Sequence, residues 1–322
     1  MDEADLEKRK LPFNNLFLNS GAVHGFNHWW MYVLGIAASL FGYFLFQIII
    51  QVPLLSMAIK KGFSLTEISE DPSLMFNPEI TGINKNLLLA MLFGMFVFAM
   101  LGLYLVVKKV HKKPFISIIT SYQKVRFGRF FFAFFIWGSL ILISTLAAYF
   151  IDSKDVVVQF DPANFLGLII VLFLLMPIQT STEEFIFRGY LVQGLSMVFK
   201  NGWVPVIITS LLFGLVHMSN PEAKTYGWEI MLPYYSLFGL FLGLLTLLDE
   251  GLELSLGIHC ANNIISGLLI TSPNSVLKTD AIFLVKSEEP GSEIILWLVL
   301  ATITFIIFWL KYRWKNFNLI LK

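Results

Sequence analysis

The stretch STEEFIFRGY, residues 181–190, places two carboxylates and one guanidinium inside a long apolar run. Ionisable side chains at membrane depth are costly to bury and therefore call for a functional explanation. On a helix, Glu184 and Arg188 share a face four residues apart, with the acid nearer the N-terminus, which favours an ion pair. Glu183 points about 100° away from Glu184. The spacing therefore predicts that Arg188 neutralises Glu184 and that Glu183 is left available for chemistry.

The composition around this stretch is that of a membrane protein. The 322 residues are 57% hydrophobic and only 14% charged, and the mean hydropathy is +0.73, which is too apolar for a soluble domain of this size. A net charge of +1 provides no basic field, so we expect no nucleic-acid partner. The single cysteine, Cys260, excludes an internal disulfide and a thiolate metal cluster. The sequence predicts an all-α, polytopic membrane protein.

Eight apolar segments are long enough to cross a membrane as helices. They lie at about 31–51, 87–107, 130–150, 164–198, 203–218, 231–248, 253–270 and 294–310. Residues 1–30 are predicted to be a polar or interfacial segment, ending in Trp29 and Trp30, whose side chains suit the headgroup boundary. No repeat or low-complexity linker divides the remainder, so residues 31–322 are expected to form one transmembrane domain.

Lysines and arginines are concentrated in alternate connections. Three basic groups stand out: Lys8, Arg9 and Lys10; Lys108, Lys109, Lys112, Lys113, Lys124, Arg126 and Arg129; and Lys311, Arg313, Lys315 and Lys322. The intervening connections carry acids, namely Glu67, Glu70, Asp71, Glu79, Asp152, Asp155, Asp161, Glu288, Glu289 and Glu293. Because basic connections stay in the cytoplasm, we expect both termini to be cytoplasmic in a bacterial inner (cytoplasmic) membrane. The basic connection after the second span is interpreted as an anchor to anionic membrane lipids.

A depth argument connects Glu183 with a histidine in the next span. Lys200-Asn201-Gly202 is predicted to be the hairpin between the fourth and fifth spans, and both Glu183 and His217 lie 17 residues from Lys200. At 1.5 Å per residue both stand roughly 25 Å from the turn, so an antiparallel hairpin brings them level. Just before the glutamates, Pro177 is expected to kink and interrupt the fourth span, and nearby hydroxyls to satisfy the freed carbonyls.

Two more polar side chains lie in the seventh predicted span. His259 and Asn263 are four residues apart, hence on one helical face. Together with Glu183 and His217 they suit hydrolysis: Glu183 and His217 activate a water, and His259 and Asn263 donate hydrogen bonds to the oxyanion. A metal-free reaction is favoured, but a zinc site formed by Glu183, His217 and His259 remains open as an alternative.

These residues form three motifs that resemble those of the CAAX-protease and bacteriocin-processing (Abi) family. The motifs are Glu183-Glu184-x-x-x-Arg188, Phe213-x-x-x-His217 and His259-x-x-x-Asn263, in that order, within a core at about 160–275. The resemblance implies an eight-span intramembrane endopeptidase, which in the CAAX enzymes trims prenylated C-termini. It also implies that Glu183 and His217 activate water while His259 and Asn263 bind the oxyanion. The family is often labelled metal-dependent, although the resemblance favours the metal-free reaction.

Two other classes of function remain open. One is a non-catalytic immunity or scaffold protein that binds a peptide or a membrane partner. The other is a transporter that uses Glu183 and the histidines as a proton relay. For the protease, we expect a peptide or protein substrate that is lipid-modified or membrane-inserted. The hairpin argument places Glu183 and His217 toward the non-cytoplasmic half of the membrane, whereas the family resemblance favours access from the cytoplasm.

Overall fold

The computed structural model describes residues 11–151, 154–273, 275, 279–286, 290–315 and 317. Six of the described helices are long and apolar enough to cross a membrane, and a shorter apolar helix covers Trp203–Ser219. The six are Trp29–Lys60, Lys85–Val110, Phe127–Ile151, Pro162–Phe199, Trp228–Asp249 and Glu293–Tyr312. The predicted all-α class is confirmed, and the chain is an integral, multi-pass membrane protein.

The α-helices are numbered in chain order. They are α1 (Leu16–Val23), α2 (Trp29–Lys60), α3 (Leu65–Glu70), α4 (Pro78–Thr81), α5 (Lys85–Leu105), α6 (Phe127–Ile151), α7 (Pro162–Glu184), α8 (Val192–Phe199), α9 (Trp203–Val216), α10 (Pro221–Tyr226), α11 (Trp228–Asp249), α12 (Glu253–Leu269) and α13 (Pro290–Tyr312). Short 3₁₀ or π turns occupy Pro72–Phe76, Val106–Val110, Phe115–Ile118, Phe185–Leu191 and His217–Ser219.

Each of the eight predicted spans coincides with a helix, but the seventh differs in character. Helix α12 has only 17 residues, and all of its first nine are buried inside the protein. It packs against α6, α7 and α11 rather than presenting a broad apolar face outward. The polar residues Glu253, His259, Asn262 and Asn263 explain this placement, because such groups need protein partners at membrane depth. This helix carries two of the predicted site residues into the centre of the bundle.

The expected interruption at Pro177 is wrong. Helix α7 continues as an α-helix through Pro177 to Glu184, and the departure from α-geometry comes later, in the π-helical turn Phe185–Leu191. Hydroxyls do satisfy carbonyls nearby, since Thr180 donates to the carbonyl of Met176 at 3.0 Å. A proline inside a helix removes one hydrogen bond, and neighbouring groups in a packed bundle can compensate for that loss.

The N-terminal segment packs onto one end of the bundle. Its side chains Phe13, Phe17 and Leu18 belong to the main hydrophobic core, and Asn15 donates to the carbonyl of Leu247 at 2.8 Å. Trp29, predicted to lie at the headgroup boundary, is 74% exposed. The charged residues Lys8, Arg9 and Lys10 lie outside the described residues, as do Asp152, Glu288, Glu289 and Lys322.

The same end of the bundle is fastened by ion pairs between the basic connection and the turn after α11. Arg126 contacts Asp249 at 2.9 Å and Glu253 at 2.6 Å, and Arg129 contacts Asp249 at 2.7 Å. An isolated bridge pairs Thr120 with Gly251. These contacts hold the start of α12 against the start of α6.

The opposite end contains a small sheet that the sequence analysis did not predict. Strand β1 (Val156–Val158) is antiparallel to β3 (Phe283–Val285), and β2 (Ile270–Thr271) is parallel to β3. Each strand has two or three residues, which is too short for an alternating pattern to be recognised. The sheet joins the connection before α7 to the segment after α12.

Two glycines in the central helices permit close approach of neighbouring backbone. A Cβ atom at Gly189 would collide with the carbonyl oxygen of Ile118, and one at Gly257 with the carbonyl oxygen of Phe130. Small residues at such contacts let helix backbones approach closely inside a membrane. Gly257 therefore lets α12 lie directly on α6, which fixes the depth of His259.

Candidate active site

A cavity of about 530 Å³ lies among α5, α7, α9, α11 and α12. Its wall contains all four predicted catalytic side chains, Glu183, His217, His259 and Asn263. The other polar members of the wall are Tyr43, Gln179, Asn220, Glu222, Tyr226, Tyr234, Tyr235, Asn262, Ser266, Ser275 and Glu293. The structure thus brings together residues that are up to eighty positions apart in the sequence.

Glu183 is the carboxylate that faces this cavity. Its side chain retains 14% exposure, whereas that of Glu184 has none. Gln179, one turn earlier on α7, donates from Nε2 to Glu183 Oε1 at 2.7 Å. The other oxygen, Oε2, has no hydrogen-bond donor among the described protein groups and lies 3.5 Å from His259 Nε2. One oxygen is therefore fixed by the protein, and the second is a buried acceptor that none of the described groups satisfies.

Glu184 and Arg188 form the predicted ion pair. Arg188 Nη1 donates to Glu184 Oε1 at 2.9 Å, and both side chains are buried. The guanidinium also lies 4.2 Å from the ring centroid of Phe213, a cation–π contact. Removing one partner of a buried ion pair leaves an uncompensated charge, which is strongly destabilising. The pair therefore belongs to the framework beneath the cavity, and neither side chain lines it.

His259 is held between the two glutamates. Its Nδ1 lies 2.7 Å from Glu184 Oε1, and its Nε2 faces Glu183 Oε2 at 3.5 Å. An ionised carboxylate only accepts hydrogen bonds, so the contact with Glu184 assigns a proton to Nδ1. A partner on one ring nitrogen orients the ring and determines the role of the other nitrogen. Glu184 thereby aims His259 Nε2 into the cavity.

His217 is oriented by its own helix and by a tyrosine. Its Nδ1 lies 2.7 Å from the carbonyl oxygen of Phe213, which can only accept, so Nδ1 carries a proton. In the neutral ring Nε2 is then a proton acceptor. The ring stacks on Tyr235 with centroids 4.4 Å apart, and the Tyr235 hydroxyl donates to Glu222. These contacts fix the plane of the imidazole.

Asn263 reaches the same polar cluster from α12. Its Nδ2 donates to Gln179 Oε1 at 3.2 Å, and its Oδ1 accepts from Asn262 Nδ2 at 3.1 Å. Gln179 therefore connects Asn263 directly to Glu183. The amide group of Asn263 has a second N–H that can donate to a ligand in the cavity.

Sequence reasoning missed three members of the cluster. Gln179 lies four residues before Glu183, and this helical spacing could have identified it. Asn262 adjoins Asn263 and accepts from Trp137 Nε1 at 3.2 Å. Tyr235 carries no local signal, because it meets His217 only through the packing of α9 against α11.

The remaining histidines and the cysteine lie away from the cavity wall. His111 is buried at the basic end, where its Nε2 contacts the Tyr190 hydroxyl at 2.8 Å. His24 bonds through Nδ1 to the carbonyl of Ser20 at 2.8 Å, and His28 stacks on Trp30. Cys260 is buried. None of them was assigned a catalytic role from the sequence.

The zinc alternative can be compared with this geometry. Within the part of the chain that the structure describes, no three His, Cys, Asp or Glu side chains are grouped so that they could hold a metal ion. Glu183 and His259 approach each other, but His217 does not complete a ligand set with them. The described donor groups therefore do not form the three-ligand set that a catalytic zinc takes from a protein.

Comparison with known proteins supports the family predicted from the motifs. Residues 162–265 match the family described as type II CAAX prenyl endopeptidase Rce1-like. This segment begins with α7 and ends within α12, so it contains all three motifs. The predicted family resemblance is therefore confirmed over that segment. The family suggests a CAAX-protease-like membrane peptidase.

A relative is found in Bacillus subtilis (strain 168). It is the uncharacterized protein YyaK, 34% identical over 182 residues. The aligned region covers 56% of this chain and 60% of the relative, so the match spans less than two thirds of that protein. No solved structure matches the chain.

Proposed function

We propose that this Rce1-like membrane protein is an intramembrane endopeptidase that hydrolyses a peptide bond with an activated water. The observation that carries the proposal is the meeting of Glu183, His217, His259 and Asn263, from three helices, in one cavity. Each of these side chains is oriented through a hydrogen bond to a neighbouring group. Groups held in place before the reaction lower its barrier because little reorganisation is then needed.

Water activation is assigned to Glu183 and His217. Both side chains line the cavity, and we assign Glu183 as the base that takes a proton from a water there while the acceptor Nε2 of His217 orients that water. A positioned general base contributes about 10²- to 10⁴-fold to a rate. Because Arg188 is paired with Glu184, it does not neutralise Glu183, and the Glu183 carboxylate stays available as a base.

Oxyanion stabilisation is assigned to His259 and Asn263. His259 Nε2 is assigned as one hydrogen-bond partner of the oxygen of the attacked carbonyl, and the second N–H of Asn263 as the donor beside it. Removing one oxyanion donor typically costs about 10²- to 10³-fold in kcat. The proton that Glu183 takes from the water is then delivered to the leaving amine, which completes the hydrolysis.

The reaction is proposed to be metal-free. A carboxylate and two imidazoles supply the base and the hydrogen-bond donors, and the described side chains offer no three-ligand group. The proposed substrate is a membrane-inserted or lipid-modified peptide or protein, because one wall of the cavity is apolar. Its members include Leu92, Phe93, Met95, Phe96 and Phe238.

The proposal is tested with purified protein in detergent. Two internally quenched probes are used, a farnesylated peptide ending in a CAAX sequence and a membrane-inserted helical peptide. We expect cleavage of at least one probe, with oxygen-18 from labelled water in the new carboxyl group. Hydroxylamine in the reaction should trap no acyl hydroxamate, since the route has no acyl-enzyme.

The outcome also separates the other classes of function. A transporter needs a sealed bilayer, so activity that persists in detergent excludes that class for the observed reaction. Failure to cleave either probe contradicts the peptidase proposal and favours a binding or scaffold role. Trapped hydroxamate contradicts the direct attack of water.

A further inference from the structure

The two ends of the bundle differ in charge. Successive helices alternate in direction, so the connections 106–126, 200–202 and 250–252 lie at one end with the N-terminal segment and the residues after α13. Ion pairs and hydrogen bonds between these pieces confirm the placement. We call this the basic end. Its described cationic residues are Lys108, Lys109, Lys112, Lys113, Lys124, Arg126, Arg129, Lys200, Lys311, Arg313 and Lys315.

The other end carries the remaining connections and most of the acids. The connections 61–84 and 217–227 and the described residues between 270 and 286 meet there, together with the strand Val156–Val158. We call this the acidic end. Its described acidic residues are Glu67, Glu70, Asp71, Glu79, Asp155, Asp161, Glu222, Glu229, Asp280 and Glu293. Its described lysines are Lys60, Lys61, Lys85, Lys154, Lys224 and Lys286, so it is poorer in cations than the basic end.

The cavity reaches the acidic end. Beyond the catalytic groups its wall continues through Asn220, Glu222 and Tyr226 in the connection between α9 and α11. On the facing side it continues through Ser275 and Glu293. None of the described wall residues lies in a connection of the basic end. The polar mouth of the cavity is therefore at the acidic end.

The floor of the same cavity lies at membrane depth. Tyr43 is near the middle of the 32-residue helix α2, and Phe93 and Phe96 lie on either side of the middle of α5. A substrate that fits both parts has an apolar portion against these rings and a polar portion in the mouth. Such a polypeptide is anchored in the membrane and enters the cavity at the edge of its anchor.

We infer that this mouth faces the non-cytoplasmic side, and that the substrate is the juxtamembrane segment of a membrane-anchored polypeptide exposed on that side. The inference rests on the proposed peptidase function for its substrate. The orientation itself follows from the excess of lysine and arginine at the other end, which is retained in the cytoplasm. It is opposite to the access expected for enzymes that trim prenylated C-termini in the cytoplasm.

The orientation is tested by cysteine labelling. The chain has one cysteine, Cys260, so Cys260→Ala gives a cysteine-free background. Two exposed lysines provide a matched pair: Lys224→Cys at the acidic end and Lys124→Cys at the basic end. With a membrane-impermeant maleimide on intact cells, we expect labelling of K224C. K124C should be labelled only after the membrane is permeabilised.

A third position tests the opening of the cavity itself. Ser266 lies in the cavity wall, so Ser266→Cys in the same background should react with a small impermeant thiosulfonate in intact cells. The unmodified chain is the control, because its only thiol, Cys260, is buried and should stay unlabelled. Labelling of S266C only after permeabilisation contradicts the inference.

Labelling does not require peptidase activity, so the two proposals fail separately. Labelling of K124C in intact cells, with K224C protected, overturns the orientation and leaves the peptidase proposal standing. Correct labelling in a chain that cleaves neither probe overturns the peptidase proposal and the substrate class, but keeps the direction of the mouth.

Discussion

Exchange of each glutamate for glutamine should have opposite consequences, although the two residues are adjacent. In Glu183→Gln the shape is retained and one side-chain hydrogen bond to Gln179 can be kept, but the proton acceptor is lost. Loss of a general base lowers kcat by about 10²- to 10⁴-fold, or about 3–5 kcal/mol in the barrier. Because no ion pair with Arg188 is broken, the melting temperature should change little.

Glu184→Gln is the matched control. It removes the charge that compensates Arg188, and both side chains are fully buried. Breaking such a pair typically costs about 3–5 kcal/mol of stability. We expect a lower melting temperature in detergent and a reduced yield of folded protein. Any folded fraction should keep part of its activity, since Glu184 touches His259 and not the cavity.

The assay measures initial rates and thermal unfolding on the same purified samples. Rates are taken with the quenched probe that the wild-type protein cleaves, and unfolding is followed by intrinsic tryptophan fluorescence. Our assignment is refuted if E183Q retains activity within about threefold of wild type, which is below the effect of a general base. It is also refuted if E183Q and E184Q lose stability equally.

Four further predictions follow from individual contacts. Gln179→Leu should lower kcat about fivefold without a large change in KM, because Glu183 loses a hydrogen bond worth about 1 kcal/mol. An unchanged kcat would exclude a positioning role for Gln179. Gly257→Ala should destabilise the protein by about 1–3 kcal/mol through overpacking. Gly128→Ala is the control, because the added methyl meets open space. It should be neutral or slightly stabilising in the same melting assay. Burial lowers the pKa of Lys113 from 10.5 to about 7. Between these two pH values the unfolded chain binds more protons than the folded one, so the free energy of unfolding should rise with pH, by at most about 1.4 kcal/mol per pH unit. The melting temperature of Lys113→Met should lack this rise between pH 7 and pH 9. Treatment with EDTA should leave the cleavage rate unchanged, and a loss restored by added zinc would contradict the metal-free reaction.

The spacing arguments predicted the positions of the glutamates well. Four residues between Glu184 and Arg188 imply a shared helical face, and the buried pair is present. Equal distances of Glu183 and His217 from the turn at Lys200 imply equal depth, and both line one cavity. Such rules work because a membrane-spanning hairpin leaves the chain few alternatives.

Contacts between elements distant in sequence could not be predicted in the same way. Tyr235 stacks on His217 because α11 happens to pack at that height, and nothing near Tyr235 in the sequence signals it. The burial of Phe17 and Leu18 likewise depends on a surface assembled from other helices. The polar residues of α12 indicated in part that this helix differs from the other spans, but its burial depends on the helices that pack around it.

The π-helical turn Phe185–Leu191 also escaped prediction. It separates the two glutamates from the regular helix α8 that leads to the hairpin. Single π turns are common at functional sites but leave no reliable local pattern in sequence. The sequence therefore predicts which residues meet, and not how the helix winds between them.

Because of that turn, the direction in which the glutamates point around the helix axis depends on residues that do not line the cavity. Each residue removed from or added to a helix rotates everything beyond it by about 100°. Inserting one residue between Gly189 and Leu191, where the turn already holds the extra residue of a π-helix, would leave every proposed catalytic group in the chain. It would rotate Glu183 out of register with the hairpin partner that carries His217. Point substitutions there can be mild while insertions are not, so the segment acts as a spacer of limited length.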